Sequence, residues 1–254
     1  IVKTGADLRQ EQFAVQLIRE FQRVWADGGS RCWVHYFRIV VLNEDAGLIE
    51  TIRDAVSVHS IKKDAYARQL DGQAMATYTL YDHFVQTYGE PHTPRFRAAR
   101  RAFTESLAGY AIVTYLLQIK DRHNGNILVD AAGHLIHIDF GFMLGISPGG
   151  VGFEAAPFKL PKDYIEILGG MDSDGFRAFQ QLMRQGFRDV RKHAERFIML
   201  VELMQKDSKL PCFALGDLAT AERNTTTELQ ALRRAIEHDR YGLVAYALMA
   251  RDHC

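Results

Sequence analysis

Cysteine is scarce. Cys32, Cys212 and Cys254 are the only three in 254 residues, odd in number and far apart. Such spacing excludes a disulfide framework and a clustered zinc site, and favours a reducing compartment. An excess of either charge is also missing, since 31 lysines and arginines balance 31 acids. No global field draws the chain to nucleic acid, and any anion it binds must be met by local placement. Long hydrophobic runs are absent too. The most apolar one, Ser106 to Ile119, falls short of the roughly 20 residues that span a bilayer. No signal-peptide pattern opens the chain, and Ile1-Val2-Lys3 without a Met reads as a piece cut from a longer polypeptide. Neither G-x-x-x-x-G-K-[ST] nor G-x-G-x-x-G occurs, which excludes the commonest glycine-rich phosphate cradles. Repeats and low-complexity tracts are missing as well. What remains is a globular composition, 47% hydrophobic and 24% charged. A chain of this length buries about 70–75% of its unfolded surface.

Periodicity predicts an α+β chain. Asp7 and Gln10 have the spacing of a capping box, and Ala14, Leu17, Ile18, Phe21, Val24 and Trp25 recur at helical intervals as far as Gly28-Gly29. Tyr36 to Leu42 and Leu48 to Ile52, separated by a turn over 43–47, predict two antiparallel strands. The polar stretch 53–93 predicts one helix, around Thr79 to Tyr88. Pro94 then opens a long helix through Lys120, with Phe96, Ala99, Phe103, Leu107, Tyr110, Val113 and Leu117 on one face. Four arginines, 95, 97, 100 and 101, crowd its first turns; they read as a solvated flank or as phosphate contacts. Further helices are predicted over Pro161 to Leu168, Asp174 to Phe187, Arg191 to Met204, and in the tail from Leu218 to Cys254. A boundary near residues 50–54 divides a small mixed sheet from a larger helical part, the alternative being one continuous α+β domain.

The densest polar cluster is Asp121-Arg122-His123-Asn124-Gly125-Asn126. It stands between the long helix and a predicted hairpin, 127–129 and 135–138 about a turn at 130–133, which runs directly into Asp139-Phe140-Gly141. Strand ends hold side chains rigidly while leaving one side open to a ligand. A hard divalent cation takes carboxylate and amide oxygens, and Asn126 and Asp139 supply one of each. Asp121 precedes Asn126 by five residues, the spacing of a phosphotransferase catalytic loop. Either Asp121 or His123 has the chemistry to take a proton from an attacking hydroxyl, and His123 also to stabilise charge on a transferred phosphoryl group. Lys3, at a strand end, has the reach to meet nucleotide phosphates, although an exposed terminal lysine is the plainer reading. His134 and His137, three apart on a strand, face opposite ways and read as turn and core residues rather than a metal pair.

Several runs carry a resemblance. Gly5 to Glu11, Leu117 to Leu128 and His134 to Phe142 resemble the phosphatidylinositol 3-/4-kinase catalytic domain, and within it the type III phosphatidylinositol 4-kinases. Ser57 to Lys63, the Ala156-Pro157-Phe158-Lys159-Leu160 run, Gly169-Gly170 and Leu210 to Phe213 are similar to the beta form or to lipid 4-kinases in general. The resemblance covers residues 1 to about 215. Gly5-Ala6-Asp7 stands where the family has Gly-Asp-Asp.

The resemblance implies a two-lobed protein-kinase-like fold with an incomplete small lobe. Residues 1–52 would be the end of that lobe up to the hinge. Residues 53–254 would be a mainly helical large lobe with catalytic loop, activation segment and C-terminal helices. It implies ATP with Mg²⁺, or Mn²⁺ in its place. Lys3 would meet the ATP phosphates, Glu11 face the same pocket, Tyr36 form its back, and Glu50 to Ile52 receive adenine. Asp121, His123 and Lys3 itself would be catalytic, and Asn126 and Asp139 the metal ligands. It also implies phosphatidylinositol in a membrane surface as substrate, phosphorylated on its 4-hydroxyl, and regulatory or recruiting proteins bound through other parts of the polypeptide. Nucleic acid is not an expected partner. The expected location is cytoplasmic, peripheral on the cytosolic face of membranes, the Golgi foremost.

Between Phe142 and Phe158 the single charged side chain is Glu154, so Lys159 is left to meet the one diester phosphate of an unphosphorylated inositol lipid. The alternative activities are a phosphatidylinositol 3-kinase, a related Ser/Thr protein kinase, or an inactive kinase-fold scaffold.

Overall fold

The computed structural model describes residues 1–68, 78–144, 146, 148, 159–206, 208–213, 230 and 232–236. An N-terminal region of three strands and one helix is followed by a larger, mainly helical region, a two-lobed kinase-like arrangement. Strand β1 (Val2–Thr4) precedes helix α1 (Arg9–Gly28), then β2 (Ile39–Asn43) and β3 (Ala46–Ile49). These strands form one antiparallel sheet in the order β1-β3-β2. Next come β4 (Ala55–Ser57), α2 (Val58–Arg68), α3 (Leu80–Tyr88), α4 (Pro94–Leu116), β5 (Ile127–Asp130) and β6 (Leu135–His137). The second sheet, β4-β5-β6, is antiparallel throughout. Helices α5 (Lys162–Leu168), α6 (Asp174–Lys192) and α7 (Ala194–Gln205) complete the regular elements, and no described helix is long and apolar enough to cross a membrane.

Helix α1 keeps its expected length and stops where Gly29 enters the left-handed region at φ 69°. Its start differs from expectation. Leu8 occupies the N-cap with no side-chain bond, Asp7 accepts from the Arg9 N–H at 3.0 Å, and Gln10 reaches away from the helix altogether. No capping box forms there. A genuine one closes α3, where Thr79 and Asp82 satisfy each other's backbone N–H groups. Thr93 caps α4 just before Pro94. From Phe103 onward α4 is buried almost all round, as befits a central helix, and it ends at Leu116 rather than Lys120 because Gln118 turns to φ 48°.

The strand expected from Tyr36 begins only at Ile39, and the one expected to reach Ile52 stops at Ile49. Residues 32–38 run instead as a connection outside any strand, anchored by buried Val34 and Phe37. Strand β4 and helix α2 were not anticipated. Only Val58 and Ile61 of α2 are buried, too few to leave a periodic signature. The tail helices expected from Leu218 fall outside the described residues except for a turn at 232–236, where Leu232 and Ile236 are buried.

Strand β6 owes its position to α4. Its edge would leave N–H groups unpaired, and two side chains one helical turn apart receive them. Ser106 Oγ accepts from the Leu135 N–H at 2.8 Å, and the Tyr110 hydroxyl, which accepts from His35 N–H at 3.1 Å, also faces the His137 N–H. Four helical residues rise about 6 Å and two strand residues about 6.8 Å, so the spacings match. Gly133, at φ 98°, makes the hairpin turn against Ala99 of α4. One apolar core joins both regions, running from Leu8 to Ile236. His134, just ahead of β6, stacks on Trp33 at 4.0 Å and pairs with Asp130, while buried His137 stacks on Tyr110 at 4.4 Å. Cys32 and Cys212 are buried thiols, Cys32 pushed up to about 12 by burial; Cys254 lies outside the described residues.

Candidate active site

Two polar segments meet at the end of the second sheet. Backbone bonds from Lys120 N–H to Phe142 O (3.0 Å) and from Leu144 N–H to Leu117 O (2.9 Å) lace residues 117–120 to the stretch after Asp139-Phe140-Gly141. The loop between is held on its other side by His59 N–H, which donates to Asn124 O at 2.9 Å from the first turn of α2. Asn126 is buried. Its N–H donates to His123 O (2.9 Å), its carbonyl accepts from Ile138 N–H (3.0 Å), and its side-chain NH₂ donates to Asp121 O at 3.1 Å. That last bond commits the amide nitrogen and leaves the amide oxygen as the atom with the chemistry to ligate a cation.

Both acids sit on strained backbone, Asp121 at φ 61° and Asp139 at φ 60°. Each costs about 1 kcal/mol or more and persists only where surrounding bonds over-determine it. Arg122 supplies those bonds. Its guanidinium donates to Lys120 O (3.0 Å), Ile138 O (2.7 Å) and Asp139 O, and lies 5.7 Å from the centre of the Phe140 ring. Sequence reasoning named Arg122 only as part of the motif, because its partners are carbonyls, which no residue pattern advertises.

His123 is half exposed. Its Nδ1 accepts the Gly125 N–H at 3.0 Å, so the ring proton resides on Nε2, which stands 3.9 Å from Asp121 Oδ2. Lys3, on β1, points inward and approaches Glu11 Oε2 to 3.9 Å across from α1. Burial pushes the Glu11 carboxyl up; Lys3 opposes this, the Asp139 carboxylate adds to it, and the Asp139 N–H and Arg122 oppose it again. Glu11 therefore feels both the lysine of the first sheet and the backbone and charge of Asp139 at the end of the second.

The remaining candidates stand apart from this group. Tyr36 lies under the Arg19 guanidinium, 4.9 Å from its ring centre. Glu50 is exposed and bound to Arg38 by its N–H at 2.9 Å and by its Nε at 3.2 Å. Those bonds hold the Glu50 carboxyl below its usual range, so its side chain serves the open end of the β2–β3 pair. Thr51 and Ile52 lie outside any strand, and Lys159 is exposed just ahead of α5. Most of the segment from Phe142 to Phe158 lies outside the described residues.

The donor set fits a hard divalent cation: one carboxylate, Asp139, and one amide oxygen, Asn126, leave the other positions to water and phosphate oxygens. Among the described residues there is no cluster of three or more His, Cys, Asp or Glu for a softer metal.

A lysine paired to a helix acid, an Asp-Phe-Gly and an Asp…Asn loop on one kinase-like frame are the parts that recur in catalytic domains of the kinase class. The phosphatidylinositol 3- and 4-kinase model matches residues 1–214, and the chain belongs to that family. It is 50% identical over 238 residues to the phosphatidylinositol 4-kinase pik1 of Schizosaccharomyces pombe, covering 91% of this chain and 27% of that protein. Its identity to phosphatidylinositol 4-kinase PIK1 of Saccharomyces cerevisiae is 42% over 241 residues, 93% of this chain and 23% of the relative. With phosphatidylinositol 4-kinase beta of Sorex araneus it shares 46% over 213 residues, 84% of this chain and 25% of the relative. The chain thus spans about a quarter of the length of these relatives.

Proposed function

We propose that this chain is the catalytic part of an ATP-dependent phosphatidylinositol 4-kinase. The observation that carries the reading is the Lys3–Glu11 pair together with a peptide frame in which Asn126 is bonded to Asp121 O and Arg122 to Asp139 O. Residues 1–52 act as the end of the small lobe and 53–254 as the large lobe. Lys3 holds the ATP phosphates and Glu11 holds Lys3. Tyr36 backs the nucleotide pocket, and the backbone of Glu50 to Ile52 meets adenine. Asn126 and Asp139 hold Mg²⁺, or Mn²⁺ in its place, which when bound neutralises phosphate charge.

The inositol 4-hydroxyl oxygen bonds to the γ-phosphorus as the bond to the bridging oxygen of ADP breaks. The hydroxyl proton passes to Asp121. His123 is disposed as the donor, because its Nδ1 lone pair is already used by Gly125 and its Nε2–H is left to meet developing charge. Lys159 meets the diester phosphate of the lipid. The lack of basic side chains between Phe142 and Phe158 favours unphosphorylated phosphatidylinositol over its bisphosphate. Likeness to proteins named as phosphatidylinositol 4-kinases supports the 4-position and the inositol lipid. We place the parent protein peripherally on cytosolic membrane faces, the Golgi foremost, recruited by proteins bound elsewhere on the polypeptide and without nucleic acid as a partner.

The test is phosphoryl transfer by the full-length polypeptide from labelled ATP to phosphatidylinositol vesicles, with the ring position of the product determined. The expected product is the 4-phosphate. A 3-phosphate, or transfer only to protein serine, would overturn the assignment.

A further inference from the structure

We propose that Gln10 is a positioning residue for the metal-binding loop, tying Asp139-Phe140-Gly141 to the chain segment after α7. This rests on the reading of Asp139 as a metal ligand.

The Gln10 side chain is only 5% exposed. Its Nε2 donates to Phe140 O at 3.2 Å and to Gly141 O at 2.7 Å. Its Oε1 accepts the Cys212 N–H at 2.9 Å. Both ends of the amide are therefore used, and rotating it by half a turn would set oxygen against two carbonyls and nitrogen against an N–H. Arg122 holds the carbonyls of Ile138 and Asp139, so the four successive carbonyls from 138 to 141 are all bound by two side chains. One reaches in from the catalytic loop and the other from α1. Between them lies the strained φ of Asp139, the kind of backbone that needs such bracing.

The third bond makes Gln10 a coupling residue. Cys212 belongs to residues 208–213, which dock on α1 through buried Leu210 and Phe213, the latter 6.0 Å from Phe13. An internal bond from Phe213 N–H to Leu210 O at 2.9 Å rounds the segment into a turn. Its placement fixes Gln10, and Gln10 fixes the peptide that carries the metal-binding carboxylate. Glutamine alone does this. Glutamate would face two carbonyls with a carboxylate, and methionine would leave two carbonyls and an N–H without their partner.

The experiment uses the full-length polypeptide and measures Mn²⁺ affinity by electron paramagnetic resonance in the presence of a non-hydrolysable ATP analogue. Amide hydrogen exchange over residues 138–144 and kcat against KM for ATP are measured alongside. Gln10→Glu and Gln10→Met are each expected to weaken Mn²⁺ binding by about 10- to 100-fold, as loss of a support behind a metal ligand typically does. Exchange over 138–144 should quicken and kcat should fall, with nucleotide affinity in the absence of metal unchanged. Phe213→Ala, remote from the metal, should weaken Mn²⁺ by about threefold through the docked segment, and it keeps the test alive if a Gln10 variant does not fold. Wild-type Mn²⁺ affinity in the folded variants would overturn the proposal. Asp139→Ala separates the two ideas: if it binds Mn²⁺ normally, the metal assignment fails. If it loses Mn²⁺ while the Gln10 and Phe213 variants keep it, only the coupling fails.

Discussion

The two three-stranded sheets share size and antiparallel pairing but differ in surroundings. In the first, Val2, Leu48 and Val40 lie side by side in register across all three strands, and they are 71%, 41% and 51% exposed. In the second, every residue of β6 is buried and its edge is closed by Ser106 and Tyr110 of α4. The first sheet thus presents Lys3 from a thin support, whereas the second presents Asn126 and Asp139 from the core. Helix α1 bridges them, with Glu11 facing Lys3 and Gln10 facing Phe140 and Gly141. The two proposed metal ligands are anchored in the rigid part. Lys3, proposed to hold the ATP phosphates, sits where small adjustments cost little.

Removing the functional end of the second sheet should have the largest effect. Asp139→Ala is expected to lower transfer to phosphatidylinositol by about 10³-fold or more, because a cation ligand is worth several kcal/mol to the transition state. Thermal unfolding should shift little, since Arg122 and Gln10 hold this stretch through its backbone. Asn126→Ala should be severe but less complete, a neutral ligand offsetting less charge. Turnover near the wild-type rate for Asp139→Ala would remove the metal assignment.

A second comparison concerns packing alone. Leu135 is fully buried in β6, and Leu135→Ala should cost about 3 kcal/mol in denaturant unfolding through lost burial and a cavity. Val40→Ala, on the exposed row of the first sheet, should change stability by less than about 0.5 kcal/mol. Equal costs would show that the two sheets are packed alike in solution.

What could be read in advance followed the strength of local signals. The α1 stripe, the Pro94 start of α4 and the hairpin leading to Asp139 announce themselves through period, proline placement and turn chemistry. Helix α2 does not, because it buries two side chains and leaves the rest to solvent. The polar block at 121–126 marked the site, but its bracing by Arg122 and Gln10 was invisible. Their partners are carbonyls, and in the case of Gln10 the spacing of a capping box suggested a local partner when the real ones lie 130 and 202 residues away. Local rules assign a polar side chain to its nearest backbone; a folded core can offer it something better.

The smallest effect sharpens the comparison at the turns. The first sheet's turn is closed by a neutral group, Asn43, whose side-chain oxygen accepts the Asp45 N–H at 2.9 Å. The second sheet's turn is closed by Asp130, which accepts from Ala132 N–H (2.9 Å) and His134 N–H (2.8 Å) and meets the His134 ring at 2.9 Å. Burial pushes this carboxyl up, but the His134 ring and the two N–H groups outweigh it and hold it below its usual value. A carboxyl lowered on folding contributes stability that is complete above its unfolded value of about 3.9 and is lost as pH falls through the lower folded value. Asp130→Asn should therefore cost about 1 kcal/mol in urea unfolding at pH 7, and that deficit should shrink as pH falls below about 4. Asn43→Ala, which removes no charge, should cost a similar or smaller amount that does not vary over the same range. If the Asp130→Asn deficit stays constant down to pH 3, the second turn is held by shape and hydrogen bonding alone, and the two turns differ in nothing that acid can reach.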